Sequence, residues 1–442
     1  MNDPLTNPNN SRTIKIDMMA RVEGEGALNV TVKDGQVQDV QLRIFEPPRF
    51  FEAFLQGRHV NEVPDIVARI CGICPVAYQM SAVHALEPIF GVEIPPAIRD
   101  LRRLLYCGEW IESHVLHIYM LQAPDFMGFA SGLDMARVHP DLVKQGLRLK
   151  KAGNQLLSLL GGRSVHPVSV MIGGFSQVPT KDQLHGLKDD LRWARDAAVK
   201  TLQWVSGFAF EDPEQDYTFL ALRDPAEYPM NTGSLVTNKS HHLNVSEFED
   251  HFHEEQVPYS TALHCTFQGQ SYLTGPLARL ALNHDQLSPF TKKIFAETGL
   301  SLPFKRASMG IVARSVEVLY ALDEALRIIE EYDPPPSPSV PVIIKAGTGV
   351  AATEAPRGVL YHRFQVNEDE TIQLAKIVPP TSQNQRRIED DLRNMLPGLL
   401  HLSDAETASK CERHIRSYDP CISCATHFLK FTKEELPTSP QI

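Results

Sequence analysis

Residues 101–121 read LRRLLYCGEWIESHVLHIYML, and this stretch indicates the fold class. Its apolar side chains recur three and four positions apart, which is the period of an α-helix with one buried face. The same period returns in residues 183–205, QLHGLKDDLRWARDAAVKTLQWV, and in residues 315–332, SVEVLYALDEALRIIEEY. Long helices of this kind pack as bundles. We therefore expect a mainly helical chain built around a central bundle of long helices.

Breaks in the helical period show where strands and turns belong. The last of the three helices should end before Asp333, because residues 334–336 are prolines and the residue ahead of a proline avoids the helical region. Residues 27–32 and 37–45 alternate apolar and polar side chains around Asp34-Gly35, a hairpin signal, and residues 358–378 alternate around a polar turn at 367–369. The predicted fold class is α+β, mainly helical, with small mixed β elements near both ends of the chain.

Composition narrows the classes of function. The 442 residues are 43% hydrophobic and 22% charged, an ordinary globular balance that argues against a disordered scaffold. The net charge of −11 argues against nucleic acid or an anionic membrane as partner. No apolar run reaches the length of about 18 residues that suggests a membrane span, and MNDPLTNPNNSRTIKID lacks the apolar core of a secretory signal. We expect a soluble, cytoplasmic protein without membrane insertion.

Cysteine usage indicates metal or redox chemistry more than a disulfide framework, because the count is odd and the density low. Two CxxC elements stand at opposite ends of the chain, RICGICP at residues 69–75 and DPCISCATH at residues 419–427. Two intervening residues let both sulfurs face one ion, and thiolates suit zinc, iron or nickel. The seven cysteines are Cys71, Cys74, Cys107, Cys265, Cys411, Cys421 and Cys424.

Other interpretations of these cysteines stay open at this point. A redox dithiol would need a thioredoxin-like strand-to-helix unit, which neither motif has. A structural zinc site usually draws its ligands from within tens of residues, whereas these motifs are far apart. The three remaining cysteines have no partner at ligand spacing, and Cys107 lies on an apolar helix, so we interpret them as small core residues.

Residues flanking the cysteines carry a resemblance to a known family. RICGICP together with DPCISCATH is similar to the paired signatures of nickel-iron hydrogenase large subunits. Further words match in the family's order: ARVEGEG at 20–26, RFFEAFLQGR at 49–58, APDF at 123–126, EAPRG at 354–358 and VPPTSQNQ at 378–385. Among these, EPPRFFEAFLQGR and PPTSQNQ most resemble the soluble, bidirectional branch linked to NAD(P), of the sulfhydrogenase alpha-subunit type.

The resemblance implies a Ni-Fe centre that splits and forms dihydrogen. Cys71 and Cys421 would be terminal nickel ligands, and Cys74 and Cys424 would bridge nickel to an iron that carries carbon monoxide and two cyanides. Thiolates donate charge to nickel and can bridge two metals, which suits a reducible site. Thr381 or Ser382 would donate a hydrogen bond to a cyanide ligand.

Four further residues match the family's catalytic positions. Glu23 would carry protons from a terminal cysteine sulfur towards the surface, although a glutamate at a strand end could simply cap a turn. Arg357 would lie over the open position of the metal centre, held there by Asp125 and Asp419. A structural salt bridge would use the same three side chains, so the sequence leaves both interpretations open.

A second metal site follows from the same resemblance. Glu52 and His427 would bind Mg²⁺ together with a backbone carbonyl near residues 376–378 and water molecules. Glu52 also lies at helical spacing among apolar residues, as a surface glutamate would. The chain departs from the family at Tyr78, where many members have a histidine; a phenol can still donate a hydrogen bond to a bridging sulfur. We interpret His84 as a core residue.

The resemblance also implies a domain organisation and a set of partner proteins. Residues 1–427 would form the catalytic domain, and residues 428–442 a C-terminal extension that a maturation endopeptidase removes after nickel-insertion factors have acted. No cysteine set remains for iron-sulfur clusters and no GxGxxG fingerprint for a nucleotide. Electrons would therefore leave through an iron-sulfur small subunit and then flavin- and NAD(P)-binding subunits.

Two alternative functions belong to other classes. A zinc-thiolate structural or interaction protein would not need Arg357, Asp125 and Glu52 in this order. A non-catalytic electron-transfer scaffold related to a respiratory complex I subunit would lack the paired CxxC motifs.

Overall fold

The computed structural model describes residues 11–426, in which helices dominate and the strands form small sheets. This is the mainly helical α+β class that the sequence predicts. The helices of this range are α1 (Phe51–Leu55), α2 (Val63–Ala68), α3 (Pro75–Phe90), α4 (Pro96–Leu116), α5 (Ala123–Met127), α6 (Gly132–Val138), α7 (Pro140–Gly161), α8 (Lys181–His185), α9 (Lys188–Ser206), α10 (Phe248–His251), α11 (Pro276–Asn283), α12 (Pro289–Glu297), α13 (Gly310–Glu331), α14 (Pro380–Met395), α15 (Asp404–Ser417) and α16 (Ile422–Ala425).

The strands form antiparallel β1-β2-β3 and β12-β13-β14 sheets, a four-stranded β11-β6-β7-β8 sheet, and the pairs β9-β10 and β4-β5. Their bounds are β1 (Ser11–Ile16), β2 (Gly26–Lys33), β3 (Gln36–Ile44), β4 (Val170–Met171), β5 (Gly174–Phe175), β6 (Phe219–Arg223), β7 (Ser234–Thr237), β8 (His242–Leu243), β9 (Phe252–Glu255), β10 (His264–Phe267), β11 (Leu273–Thr274), β12 (Gly347–Ala355), β13 (Gly358–Val366) and β14 (Ile372–Val378).

The helix α4 lies at the centre of the long-helix bundle, where it packs against α7 and α13, and α13 in turn packs against α9. The axes of α4 and α7 can approach closely because two glycines meet at their crossing. A Cβ on Gly153 would lie 2.6 Å from the carbonyl oxygen of Gly108. A larger residue at either position would force the helices apart.

Several local predictions agree with the structure. The β2-β3 and β13-β14 hairpins lie where alternation predicts them, and α13 ends at Glu331, ahead of the proline run. The helix over 101–121 is present, but its last turn, His117–Gln122, is π-helical. The sequence did not predict β12, which is rich in Gly and Ala and has little intrinsic preference for a strand.

Strands also occur in the middle of the chain, from β4 to β11, beyond the two ends where the sequence predicts them. They are two to five residues long, too short for alternation to be recognised. Within residues 11–426, no helix is both long and apolar enough to cross a membrane.

Candidate metal centre

The first CxxC motif lies in the loop between α2 and α3. Cys74 is the residue before the first turn of α3, and Pro75 occupies the first helical position, where a missing amide proton costs nothing. The amides of Ile73 and Cys74 both lie 3.3 Å from the Sγ of Cys71. Amides directed at a sulfur favour its ionised form. Glu109 caps α3 from below, accepting hydrogen bonds from the amides of residues 76 and 77.

The second motif lies between α15 and the short helix α16. Asp419 turns the chain here in the left-handed conformation, with φ of 54°. The amide of Cys421 donates to the hydroxyl of Thr381 at 3.1 Å, and the amide of Cys424 donates to the carbonyl of Cys421 at 3.1 Å. These bonds direct both sulfurs to the same side of the loop.

The four cysteines of the two motifs meet in the core. Their Sγ atoms all lie within 4.8 Å of one another, and each residue is at most 3% exposed. Cys71 pairs with Cys421 at 3.5 Å and Cys74 with Cys424 at 3.5 Å, while Cys421 and Cys424 lie 2.8 Å apart. Equivalent cysteines of the two motifs therefore face each other.

This donor set fits a soft metal ion. Hydrogen bonds from Cys421 and the other two cysteines lower the pKa of Cys71 well below its usual value, whereas the Cys424 hydrogen bond raises that of Cys421. Ionisation of one sulfur thus makes ionisation of the neighbouring thiols less favourable, because thiolates this close repel one another. A bound cation removes that repulsion, and four thiolates suit nickel, iron or zinc.

Arg49 joins the two motifs, and sequence reasoning missed it. Its guanidinium donates to the carbonyl of Ile70, at 2.6 Å, and to the carbonyl of Ser423. Its amide donates to the carbonyl of Thr426. One side chain thereby fixes the loop before Cys71 and the turn before Cys424. Its position at the start of RFFEAFLQGR was the available signal.

Glu23 lies directly beside the cluster. Its Oε2 is 3.2 Å from the Sγ of Cys421 and accepts from the amide of Ser423 at 3.0 Å. The hydroxyl of Ser423 contacts Oε1 of Glu23 at 2.6 Å and Oε1 of Glu46 at 2.8 Å. Sequence reasoning missed Ser423 and Glu46, although Ser423 lies between the two cysteines of the second motif.

Arg357 lies at the tip of the β12-β13 hairpin, in the two-residue connection between Ala355 and Gly358. Its Nε donates to the carbonyl of Asp419 at 2.8 Å and its Nη2 contacts Oδ1 of Asp419 at 3.0 Å. The left-handed turn lets Asp419 present both groups to one guanidinium. Burial opposes the charge of Arg357, but Asp419 and then the thiolates of the cluster raise its pKa well above the usual value.

Asp125 does not lie against Arg357 in this structure. Its carboxylate receives both Nε and Nη2 of Arg416 at 2.9 Å and also contacts Arg21. The other contact of Arg357 among residues 11–426 is the hydroxyl of Ser113 at 3.5 Å. The prediction that Asp125 holds Arg357 is therefore corrected: the guanidinium groups of Arg416, Arg21 and Arg413 pair with Asp125 instead.

Glu52 lies on α1, against the strand β14. Its Oε1 accepts from the amide of Ile377 at 2.6 Å, next to the backbone that the sequence predicts as a ligand. Burial raises the pKa of Glu52 to about 8, although the Ile377 amide acts in the opposite direction. Glu249 and Glu254 lie close enough to raise it further. His427, the predicted imidazole partner, lies outside the described residues.

Tyr78 reaches the cluster from α3. Burial raises its pKa well above the usual value, and Cys424 raises it further through its charge and a hydrogen bond.

Burial lowers the pKa of His84 to about 4, with Arg102 as the next cause, as expected for a core histidine. Ser382 donates to the carbonyl of Pro379 at 2.9 Å.

The other three cysteines, Cys107, Cys265 and Cys411, are buried outside the cluster. Burial raises the pKa of each thiol, that of Cys411 to about 12. They fit the predicted role of small core residues.

Comparison with known proteins agrees with this site. The family described as nickel-dependent hydrogenase matches residues 49–144 and 228–427. The chain is 32% identical over 420 residues to sulfhydrogenase 2 subunit alpha of Pyrococcus furiosus, covering 94% of this chain and 99% of the relative. It is 27% identical to NAD-reducing hydrogenase HoxS subunit beta of Cupriavidus necator, covering 95% of each.

A solved structure of an NAD⁺-reducing [NiFe]-hydrogenase in the H₂-reduced state shares the fold, with a TM-score of 0.84 at 24% identity over 94% of this chain and 99% of that one. The family match over most of the chain, the alignment over 94% of it and the buried four-cysteine cluster all indicate the same family. The chain belongs to the nickel-dependent hydrogenase family and is the catalytic large subunit of a nickel-iron hydrogenase, an oxidoreductase that acts on hydrogen.

Proposed function

We propose that this subunit splits dihydrogen reversibly into protons and electrons at a Ni-Fe centre held by Cys71, Cys74, Cys421 and Cys424. The observation that carries the proposal is the set of four buried Sγ atoms within 4.8 Å, with the carboxyl group of Glu23 in contact. When bound, the centre supplies redox-active metals that take up the electrons of dihydrogen.

The pairing of the sulfurs supports distinct roles for them. The first cysteines of the two motifs, Cys71 and Cys421, face each other, as two terminal nickel ligands would. The second cysteines, Cys74 and Cys424, also face each other, as two bridges to iron would. We assign carbon monoxide and two cyanides to that iron. Thr381 is the better hydrogen-bond donor to a cyanide, because Ser382 already donates to Pro379.

Glu23 carries protons away from the Sγ of Cys421. Ser423 receives them next, because its hydroxyl lies within hydrogen-bond distance of both Glu23 and Glu46. A hydroxyl donates and accepts at once, so it can pass a proton between two carboxylates. Glu46 is only partly buried, which brings the path to the protein surface.

Arg357 supplies a fixed positive charge beside the thiolates. Because Asp419 neutralises one edge of its guanidinium, the remaining donors are available to the reacting hydrogen. Asp125, on α5, is paired with Arg416 and Arg21, and we assign it a supporting role in which it links α5 to these two arginines.

Electrons leave through a partner. Cys107, Cys265 and Cys411 are buried and dispersed, so they form no second cluster within residues 11–426. We propose an iron-sulfur small subunit as the first acceptor and flavin- and NAD(P)-binding subunits beyond it. Support comes from the relatives named as sulfhydrogenase and as NAD-reducing hydrogenase. The seven free thiols suit a cytoplasmic location.

Glu52 and His427 bind Mg²⁺ in this proposal, with a carbonyl near residues 376–378. The cation would neutralise a carboxyl group whose burial otherwise favours its protonated form. We further propose that residues 428–442 are removed by a maturation endopeptidase once nickel-insertion factors have loaded the site.

The decisive experiment is elemental analysis of protein produced together with its partner subunits and maturation factors. We expect about one nickel and one iron per chain, and infrared bands of bound carbon monoxide and cyanide. Zinc alone, without those bands, would contradict the Ni-Fe assignment and favour a structural thiolate site. Dihydrogen-dependent reduction of NAD⁺ and of NADP⁺ by the assembled complex then identifies the nicotinamide.

A further inference from the structure

The backbone of Arg357 and the direction of its side chain are fixed by different residues. Arg279, which is fully buried, donates to the carbonyls of Ala355 and Pro356, each at 2.8 Å, and so fixes the tip of the hairpin. The guanidinium of Arg357 itself contacts mainly Asp419. Whatever orients Asp419 therefore determines where the charge of Arg357 points.

A second guanidinium faces Asp419 from the other side. Arg314, on the first turns of α13, is 2% exposed, and its Nε lies 3.8 Å from Oδ2 of Asp419. Oδ1 of the same carboxylate is paired with Arg357. Neither Oδ2 nor the Nε of Arg314 has a hydrogen-bond partner in the described part of the chain. The carboxylate is thus held between two buried cations.

Arg314 also fixes the turn that shapes Asp419. Its Nη1 donates to the carbonyl of Ser417 at 3.1 Å, two residues before the left-handed Asp419. The guanidinium fits because residue 310 is a glycine: a Cβ there would lie 2.7 Å from Nη1 of Arg314 and 3.1 Å from the Ser417 carbonyl. One side chain thereby contacts both the Ser417 carbonyl, at the start of the turn, and the far oxygen of Asp419.

Within residues 11–426, the full cations paired with Asp419 are Arg357 and Arg314 alone. His117 Nε2 lies 3.9 Å from Oδ1, but burial lowers its pKa to about 3, so it is neutral near pH 7. Burial likewise lowers the pKa of His114 to about 4. Burial and the charge of Arg357 lower the pKa of Arg314 only to about 10, so it keeps its charge.

We propose that Arg314 is a positioning residue for the hydrogenase reaction: it holds the 417–419 turn and Oδ2 of Asp419 so that Asp419 directs the Arg357 guanidinium towards the four-cysteine cluster. Without Arg314, Oδ2 would be a buried anionic oxygen with no counter-charge. The carboxylate would then turn so that both of its oxygens share the remaining cation, Arg357, and Arg357 would lose its fixed direction. The inference deepens the proposed role of Arg357 and rests on it for its effect on rate.

The test compares Arg314→Met, Arg314→Lys and Gly310→Ala in the assembled complex with Arg102→Met as matched control. Arg102 is an equally buried arginine whose partner is Glu87, and neither touches Asp419, so Arg102→Met controls for the loss of stability that follows removal of a buried guanidinium. Measurements are metal content, kcat and KM for dihydrogen with a dye acceptor, and crystal structures of the variants. These structures report the Arg357–Asp419 contact independently of turnover.

We expect Arg314→Met to keep its nickel and iron, to lose at least about tenfold in kcat with little change in KM, and to show the Nη2–Oδ1 contact broken. Arg314→Lys should recover part of the loss, and Gly310→Ala, which displaces the guanidinium but keeps its charge, should fall between. In an Asp419→Asn background, Arg314→Met should add little, because both act through one contact.

An unchanged Arg357–Asp419 contact in Arg314→Met, or a kcat equal to that of the Arg102→Met control, would overturn the inference. If Arg314→Met does not assemble, Gly310→Ala decides the question by the same two readouts. If the wild-type complex holds its metals but turns over no dihydrogen, the proposed function fails, whereas the crystallographic contact still tests Arg314.

Discussion

The Sγ of Cys421 and the Oε2 of Glu23 lie 3.2 Å apart, although 398 positions separate them in the chain. A backbone bridge between the same two residues, with the amide of Ile422 donating to the carbonyl of Glu23 at 3.0 Å, holds the two segments in register. The carboxyl group is therefore placed by main-chain contacts as well as by its own hydrogen bonds. A fixed distance of this kind is what proton transfer from a sulfur requires.

Glu23→Gln should abolish most of the turnover without disturbing the metal site. The amide keeps the shape of the side chain and a hydrogen bond to Ser423, but it cannot carry a proton. We expect dihydrogen oxidation to fall by at least about 100-fold, with nickel and iron content unchanged. Glu25→Gln, two residues away and exposed, is the control and should keep its activity. Equal activities of the two variants would exclude Glu23 from proton transfer.

Cys421→Ser should prevent nickel binding. The hydroxyl is a harder and far less acidic donor than the thiol, and it cannot complete a set of four soft ligands. Nickel per chain, measured by mass spectrometry on the assembled complex, should fall close to zero. Cys411→Ala provides the comparison, because Cys411 is also fully buried but lies outside the cluster. Nickel retention in Cys421→Ser would remove Cys421 from the ligand set.

Arg102→Met should destabilise the fold strongly. Both carboxylate oxygens of Glu87 contact Arg102, at 2.6 and 2.9 Å, inside the protein. Removing the guanidinium leaves a buried unpaired charge, so we expect a loss of about 3–5 kcal/mol in the free energy of unfolding. Urea denaturation measures it.

Two comparisons sharpen that measurement. Arg102→Met combined with Glu87→Met should recover most of the loss, because no charge then remains buried. Arg137→Met, which breaks the exposed pair with Asp134, should change the free energy of unfolding by less than about 1 kcal/mol. Equal effects at the buried and the exposed pair would contradict the explanation.

His362→Phe should make stability less sensitive to acid. Burial alone lowers the pKa of His362 from 6.5 to about 3, so the folded chain keeps the ring neutral while the unfolded chain protonates it. Above pH 6.5 the ring is neutral in both states and costs no stability. As the pH falls from 6.5 towards 3, the free energy of unfolding decreases by about 1.4 kcal/mol per pH unit, because only the unfolded chain takes up the proton. The measurement is urea unfolding of the metal-free chain across this range.

The ring environment explains the choice of phenylalanine. His362 lies between Tyr78 and Phe364, with ring centroids 5.8 and 5.6 Å away, so an aromatic replacement keeps the packing. His401→Gln, on the exposed surface, serves as the control and should leave the pH profile unchanged. A profile of His362→Phe identical to that of the wild-type chain would show that the buried imidazole does not titrate in this way.

The sequence by itself determined the helical class, the end of α13, the two hairpins and the membership of the four-cysteine cluster. Each of these has a local or compositional cause: a period of three to four residues, prolines at 334–336, alternation around a turn, and two CxxC motifs. Such signals can be recognised in a short stretch of sequence, without knowledge of the rest of the chain.

Only the tertiary structure decided which charged groups meet. The side chains of Asp125, Asp419 and several arginines are buried or nearly so. The sequence alone does not predict which carboxylate pairs with which guanidinium. Packing assigned Asp125 to Arg416 and left Asp419 between Arg357 and Arg314. Ion pairs act over a few ångströms, whereas these residues lie up to hundreds of positions apart, so their pairing follows from how the helices and the hairpin tip are packed.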